Sequence, residues 1–423
     1  MITRSSLARP SSLAALAALV AGCAWSDFDD LKKDAPVEFI DRPGNIQAGF
    51  GRTIAADPRH GALLLGGYPG QIGVSLLDLA SPTRPQRTAC DSAARCRLLG
   101  TPVPVPDRGG GQGCFVFGVG PASEGGDIGL VGGCASGVDF GLPLPGGLPQ
   151  LLAGSLFTPG GPALFANVLT LAAGATGALA IGSPDVRRVY LTDGAQPPVE
   201  LAQDEAGFGA SLALVDDGQG PRTLAVGSYG SGRVRLYEGS PGAPLAPRGC
   251  LERGGTYGVT LHALMNQAQR LLVVSDGAGL VEVIDPAKLP PTTDCGPPPA
   301  AAIVDTFHCT DTEAVGGCEG AAFGYSLAST DTDGDGRPEV IVGAPGLNVR
   351  GVANAGALLI FTLDPTTDEA RRLYLPSAQA NDRVGTAVAA LQIAGSLALA
   401  SGAIDQQKTL LFHCVSPGAE RCR

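Results

Sequence analysis

Four carboxylates crowd one short stretch of the chain, Asp331, Asp333, Asp335 and Glu339, interleaved with Thr332, Gly334, Gly336 and Arg337. Gly334 and Gly336 allow backbone angles that other residues resist, so the first three carboxylates can converge in one tight loop. With the backbone carbonyl of Arg337 at the seventh position and Glu339 at the ninth, the donors are all oxygen. Hard cations take roughly six to eight oxygens, and Ca²⁺ is the ion this set suits. An EF-hand would require a bidentate Glu at the twelfth position, which is Val342 here, so the loop is not an EF-hand. We therefore expect one structural Ca²⁺ site, with ligands Asp331, Asp333, Asp335, Glu339 and the Arg337 carbonyl. The acidic turn Asp216-Asp217-Gly218 is an incomplete version and is not expected to bind metal.

Other chemistry is sparse. The four histidines, His60, His262, His308 and His413, do not neighbour one another at metal-binding spacing and read as strand residues. There is no G-x-S-x-G nucleophile elbow and no phosphate-binding G-x-x-x-x-G-K-[ST] loop. Gly109-Gly110-Gly111 and Gly125-Gly126 have no helix after them and read as turns. Asp204 and Glu205 are the neighbouring carboxylates that a hydrolase would use as acid and base. A formal charge of −11 without any block of basic residues argues against nucleic-acid binding.

The elements that hold the acidic loop form a unit: Phe323-Gly324, a short strand, the loop, the apolar strand Val340-Ile341-Val342, and then Gly343-Ala344-Pro345. This order resembles an FG-GAP repeat, the blade unit of the β-propeller of integrin α chains. The resemblance implies a calcium-binding blade. Weaker copies start at Phe50-Gly51, Phe117-Gly118, Phe165-Ala166, Phe208-Gly209, Tyr257-Gly258 and Val384-Gly385. Each continues into an apolar strand ending in glycine, at 66, 132, 182, 227, 343 and 402, with Ser275 in the fifth copy. A four-stranded antiparallel sheet needs about this length, and radial repetition leaves only short edges exposed. The expectation is an all-β fold, a seven-bladed β-propeller over residues 37–423. The apolar segment 167–181 is broken by Gly174-Ala175-Thr176-Gly177 into two strands rather than one helix. The seventh copy ends with little chain left for an outer strand, whereas Val37 to Asp41 is free. We expect that early strand to close the ring, as the resemblance to integrin α chains also implies.

Sixty-two glycines and 34 prolines, with 44% hydrophobic and only 16% charged residues, fit a strand-and-turn protein rather than a disordered one. Arg4 and Arg9 precede a short apolar segment and Val20-Ala21-Gly22-Cys23, an export signal too short to span a membrane. Its ending resembles the bacterial lipobox. That resemblance implies cleavage after residue 22, lipidation of Cys23, a tether over 23–36 and a cell-envelope location, at the outer membrane given Ala24. Ten of the 11 cysteines then remain, and disulfides are expected in an exported chain. Nearest neighbours give Cys90 with Cys96, Cys114 with Cys134, Cys309 with Cys318, Cys414 with Cys422 and Cys250 with Cys295.

These features point to a membrane-anchored, non-enzymatic platform for binding or adhesion to a protein or polysaccharide ligand. The alternatives are a propeller-type hydrolase or lyase acting on polysaccharide or lipid, and an envelope-assembly scaffold.

Overall fold

The computed structural model describes residues 37–43, 49–57, 60–67, 74–81, 86–89, 97–105, 114–120, 129–134, 170–192, 199–216, 218, 220–240, 243–267, 269–309, 318–363, 371–393, 395–405, 407–413 and 415. Their regular structure is strand, with one 3₁₀ turn at Pro286–Lys288. After β1 (Val37–Asp41), the first blade holds β2 (Thr53–Asp57), β3 (Ala62–Gly66), β4 (Val74–Asp78) and β5 (Gln86–Ala89). The second holds β6 (Arg97–Val105), β7 (Cys114–Gly120) and β8 (Gly129–Cys134). The third is β9 (Thr170–Ala173), β10 (Leu179–Ser183), β11 (Arg188–Thr192) and β12 (Val199–Ala202). The fourth is β13 (Phe208–Val215), β14 (Arg222–Ser228), β15 (Arg233–Gly239) and β16 (Ala246–Glu252). The fifth comprises β17 (Thr260–Asn266), β18 (Gln269–Ser275), β19 (Leu280–Ile284) and β20 (Ile303–His308). In the sixth stand β21 (Ser326–Thr330), β22 (Glu339–Ala344), β23 (Ala357–Phe361) and β24 (Arg371–Leu373). The seventh has β25 (Val388–Ile393), β26 (Ser396–Ala403) and β27 (Lys408–His413), with β1 as its outermost strand.

The innermost strands pack in a closed cycle, β2, β6, β9, β13, β17, β21, β25 and back to β2, which makes the fold a seven-bladed propeller. Closure is by the early strand as expected. β1 runs antiparallel to β27 from Val37 opposite Phe412 to Asp41 opposite Lys408. His413 Nε2 lies 3.0 Å from Glu38 Oε2, and Lys408 Nζ lies 3.5 Å from Asp41 Oδ1 across the same seam.

Strand alternation builds the core between blades rather than within them, because successive side chains leave a sheet on opposite faces. In β18, Leu272 and Val274 face the fourth blade beside Ala225 and Leu236, while Val273 faces the sixth beside Val340 and Val342. A middle strand buried on both faces is therefore mostly apolar, and β3, β10, β14 and β22 are buried at every position, with Arg222 and Glu339 the charged residues at the starts of β14 and β22.

The repeating glycines have a specific packing role. A Cβ on Gly227 of β14 would stand 2.3 Å from the carbonyl oxygen of Gly258, the glycine of the next blade's Tyr257-Gly258 pair. The same approach joins Gly182 to Gly209 at 2.3 Å, Gly343 to Gly385 at 2.1 Å and, across the closure, Gly402 to Gly51 at 2.1 Å. Gly258 turns its carbonyl toward its neighbour at φ +82°, a conformation that a side chain would oppose. A hydroxyl on the preceding blade's inner strand then donates to that carbonyl: Thr170 to Gly209 at 2.5 Å, Ser211 to Gly258 at 2.5 Å and Ser326 to Gly385 at 2.7 Å. Between the fifth and sixth blades, where Ser275 replaces the glycine, Thr260 Oγ1 donates instead to the Tyr325 carbonyl at 3.2 Å.

Two expectations need correction. Phe117-Gly118 does not open the second blade, because it lies in that blade's middle strand β7, opposite Leu99 of the inner strand β6. The glycine-rich strand ending near 132 is consequently the third strand, not the second. Of the disulfides, Cys250–Cys295 and Cys309–Cys318 are formed. Cys114 and Cys134 stand opposite each other in β7 and β8. Cys90, Cys96, Cys414, Cys422, Cys23 and Phe165-Ala166 lie outside the described residues.

Candidate metal centre in the sixth blade

β21 and β22 pair from Ser326 opposite Gly343 to Thr330 opposite Glu339, so residues 331–338 form the connection at the end of a hairpin. Within it each aspartate accepts a backbone N–H from further along the loop. Asp331 takes Gly334 N on Oδ1 at 2.6 Å and Gly336 N on Oδ2 at 2.9 Å. Asp333 Oδ1 accepts from Asp335 N at 3.1 Å, and Asp335 Oδ1 from Arg337 N at 2.7 Å. Gly334 and Gly336, at φ +82° and +84°, reverse the chain twice so that these bonds can form.

The result is a group of carboxylate oxygens, one each from Asp331, Asp333 and Asp335, all within 4.8 Å of one another. Like charges at this separation repel, and each carboxylate keeps lone pairs beyond those given to the backbone. An all-oxygen donor set of this kind fits a hard divalent cation and does not suit a thiolate- or imidazole-seeking metal. Arg337 is on the loop, exposed at its outer end.

In this structure Glu339 stands apart from the three clustered aspartates. Its side chain turns into the blade and is 2% exposed. Oε2 accepts both the backbone N–H and the hydroxyl of the buried Thr332, each at 2.5 Å, and lies 3.9 Å from Arg371 Nη2. Burial raises its carboxyl above the usual range, against the lowering effect of the Thr332 hydrogen bonds. Sequence reasoning passed over Thr332 and Arg371, since Arg371 sits on the outer strand far along the chain and no spacing links it to the loop.

The remaining titratable groups are dispersed. His60 Nδ1 lies 3.0 Å from Asp57, and His262 Nε2 lies 2.8 Å from Ser329 Oγ, between the fifth and sixth blades. Glu205 is held by Arg235 at 2.9 Å, by Ser228 at 3.1 Å and by Arg233 at 3.3 Å. Burial alone would raise the Glu205 carboxyl, but these partners, Arg235 foremost, outweigh it and hold it below the usual range. Asp216, first residue of the incomplete turn in the fourth blade, is buried. It accepts from Thr176 Oγ1, takes Gly218 N at 3.0 Å and lies 3.5 Å from Arg222 Nε, an internal cation in place of a metal.

Seven radial sheets closed by an N-terminal strand define this chain as an all-β propeller. Residues 323–361, the sixth blade through its third strand, match the family model described as the FG-GAP repeat. No curated protein matches the chain in sequence. Among solved structures it is similar to Raptor from Chaetomium thermophilum, at 10% identity and a TM-score of 0.50 over 91% of this chain. The match spans only 29% of the Raptor chain. A catalytically inactive virginiamycin B lyase from Staphylococcus aureus, solved with quinupristin, aligns at 9% identity and a TM-score of 0.47, over 89% of this chain and 98% of the lyase.

Proposed function

We propose that this protein is a calcium-stabilised binding or adhesion platform at the cell envelope, taking a protein or polysaccharide ligand and held to the membrane by lipid on Cys23. The observation that carries the calcium reading is the convergence of Asp331, Asp333 and Asp335 within 4.8 Å inside the matched repeat. Those three side chains and the Arg337 carbonyl would hold the ion, which supplies positive charge that quenches their mutual repulsion. A binding role is favoured over hydrolysis by the state of Glu205, which with Asp204 makes the neighbouring carboxylate pair read as a candidate acid and base. Arg235, Ser228 and Arg233 hold its carboxyl below the usual range, the opposite of the raised value that suits a general acid.

The metal test is calorimetric. Ca²⁺ at about 100 times its dissociation constant should stabilise the wild-type protein by about 2.7 kcal/mol. Asp333→Ala should lose most of that gain. Equal titration heats in the two proteins, or no Ca²⁺-dependent rise in melting temperature, would reject the site. Anchoring is read by metabolic labelling with a clickable fatty acid, which should mark the wild type and not Cys23→Ser. For the ligand, immobilised protein is challenged with a polysaccharide panel with and without Ca²⁺. Release of new reducing ends or unsaturated sugars would favour the hydrolase or lyase alternative over retention.

A further inference from the structure

We propose that the buried Glu339 and the part-exposed Arg371 form a positioning pair that sets the acidic loop from the side of the blade, so that Glu339 is not a fifth ligand. The inference deepens the calcium reading and rests on it for its metal-binding consequence. Thr332, between the first two aspartates, is fully buried while Asp333, Gly334, Asp335, Gly336 and Arg337 are exposed. It is the point where the loop is pinned. Glu339 Oε2 grips it twice, through N–H and hydroxyl, and the hydroxyl in turn accepts from Arg371 Nη2. A hydroxyl has one proton to give and lone pairs to receive, so the chain from Arg371 through Thr332 to Glu339 is satisfied in one direction. Arg371 also balances the buried carboxylate, which unpaired would be costly in so dry a place.

The pair reaches beyond the sixth blade. Arg371 Nη1 donates to the carbonyl of Val415 at 3.3 Å, and Val415 follows the strand β27 on which the closing strand β1 is paired. Val415 packs with Phe412 and Leu410 of that strand. One guanidinium therefore ties the pinned residue of the acidic loop to the blade that completes the ring. Ordering of the loop is coupled through it to the seam between the sixth and seventh blades.

The test uses Tb³⁺ as a luminescent substitute for Ca²⁺ on the full chain, comparing wild type with Glu339→Gln and Arg371→Met. Lifetimes in H₂O and D₂O count the waters on the ion. Both variants should keep the wild-type water count, bind Tb³⁺ about 10-fold more weakly, as outer-shell partners of a metal site do, and show faster amide exchange over 332–337. A merely structural role would lower the melting temperature and leave affinity unchanged. A gain of one or two waters in Glu339→Gln, with Arg371→Met binding like wild type, would make Glu339 a ligand and overturn the proposal. Should Glu339→Gln fail to fold, Arg371→Met decides alone, because it removes no carboxylate: unchanged affinity overturns the pair. Should the wild type bind no Tb³⁺, the calcium reading falls. The pair is then judged by amide exchange over 332–337, and no acceleration in either variant would sink it.

Discussion

Replacing Gly227 by alanine tests whether the glycines join the blades, since the contact is short and one neighbour is backbone of the next blade. The new Cβ would stand 2.0 Å from Ser211 Oγ and 2.3 Å from the Gly258 carbonyl, where real Cβ contacts do not fall below about 3 Å. One partner is a side chain able to rotate. The other is backbone of the next blade, so relief requires the fourth and fifth blades to separate. Overpacking of this kind costs about 1–3 kcal/mol. Loss of the Ser211 to Gly258 hydrogen bond strands a buried carbonyl for about 1–3 kcal/mol more. We expect about 3–5 kcal/mol in all. With an unfolding entropy of about 2.1 cal/mol/K per residue, a ring of this size unfolding as one unit would melt about 4–6 °C lower. Differential scanning calorimetry provides the measurement, and Gly279→Ala the control, because nothing lies within 4 Å of a Cβ there and it should melt like wild type. Ser211→Ala with Gly227→Ala removes one clash and keeps the other, so it should recover only part of the loss. A Gly227→Ala protein melting within 1 °C of wild type would refute the packing argument.

Further outcomes follow from the same structure. Deleting residues up to and including Asp41 removes β1 and exposes the edge of β27. With Ile40 lost from the core, this should cost about 2–4 kcal/mol and promote association through the bare edge, measurable by calorimetry and light scattering. The His262 imidazole is pushed down to about 4 by burial, from an ordinary 6.5. Because the folded value lies below the unfolded one, its contribution is complete above pH 6.5 and is lost as pH falls toward 4, by up to about 3 kcal/mol. His262→Gln should flatten that part of the stability profile, and a profile identical to wild type would remove His262 as its cause.

Much of this architecture can be read in the sequence because each blade spans a short, contiguous stretch of chain, the seventh alone taking one strand, β1, from elsewhere. An apolar strand ending in glycine, preceded by an aromatic-glycine pair, marks the first, fourth and sixth blades at the right position, and Tyr257-Gly258 marks the fifth. The second blade misleads for a physical reason. Its inner strand Arg97–Val105 carries no such pair, while its middle strand carries Phe117-Gly118 by coincidence. The inter-blade hydroxyls also left a signal that pattern reading passed over. A serine or threonine stands two residues after the glycine in Phe50-Gly51, Phe208-Gly209, Tyr257-Gly258 and Phe323-Gly324. Its meaning appears only when the next blade supplies the carbonyl.

The acidic loop divides along the same line. Asp331, Asp333 and Asp335 are gathered by hydrogen bonds within a few residues, so their convergence is encoded locally and the alternating spacing suffices to find it. The inward Glu339 is bonded to Thr332 and lies 3.9 Å from Arg371, which comes from the outer strand of the blade, one strand further along the chain. A carboxylate at the ninth position of such a loop has two possible destinations, the ion or the interior. Local spacing is the same for both, and only a cation waiting inside the blade makes the second one stable. The fourth blade shows the limit of that trade. There Arg222 comes up beside Asp216 itself, the first carboxylate of the loop has gone inside, and no cluster forms among the described residues.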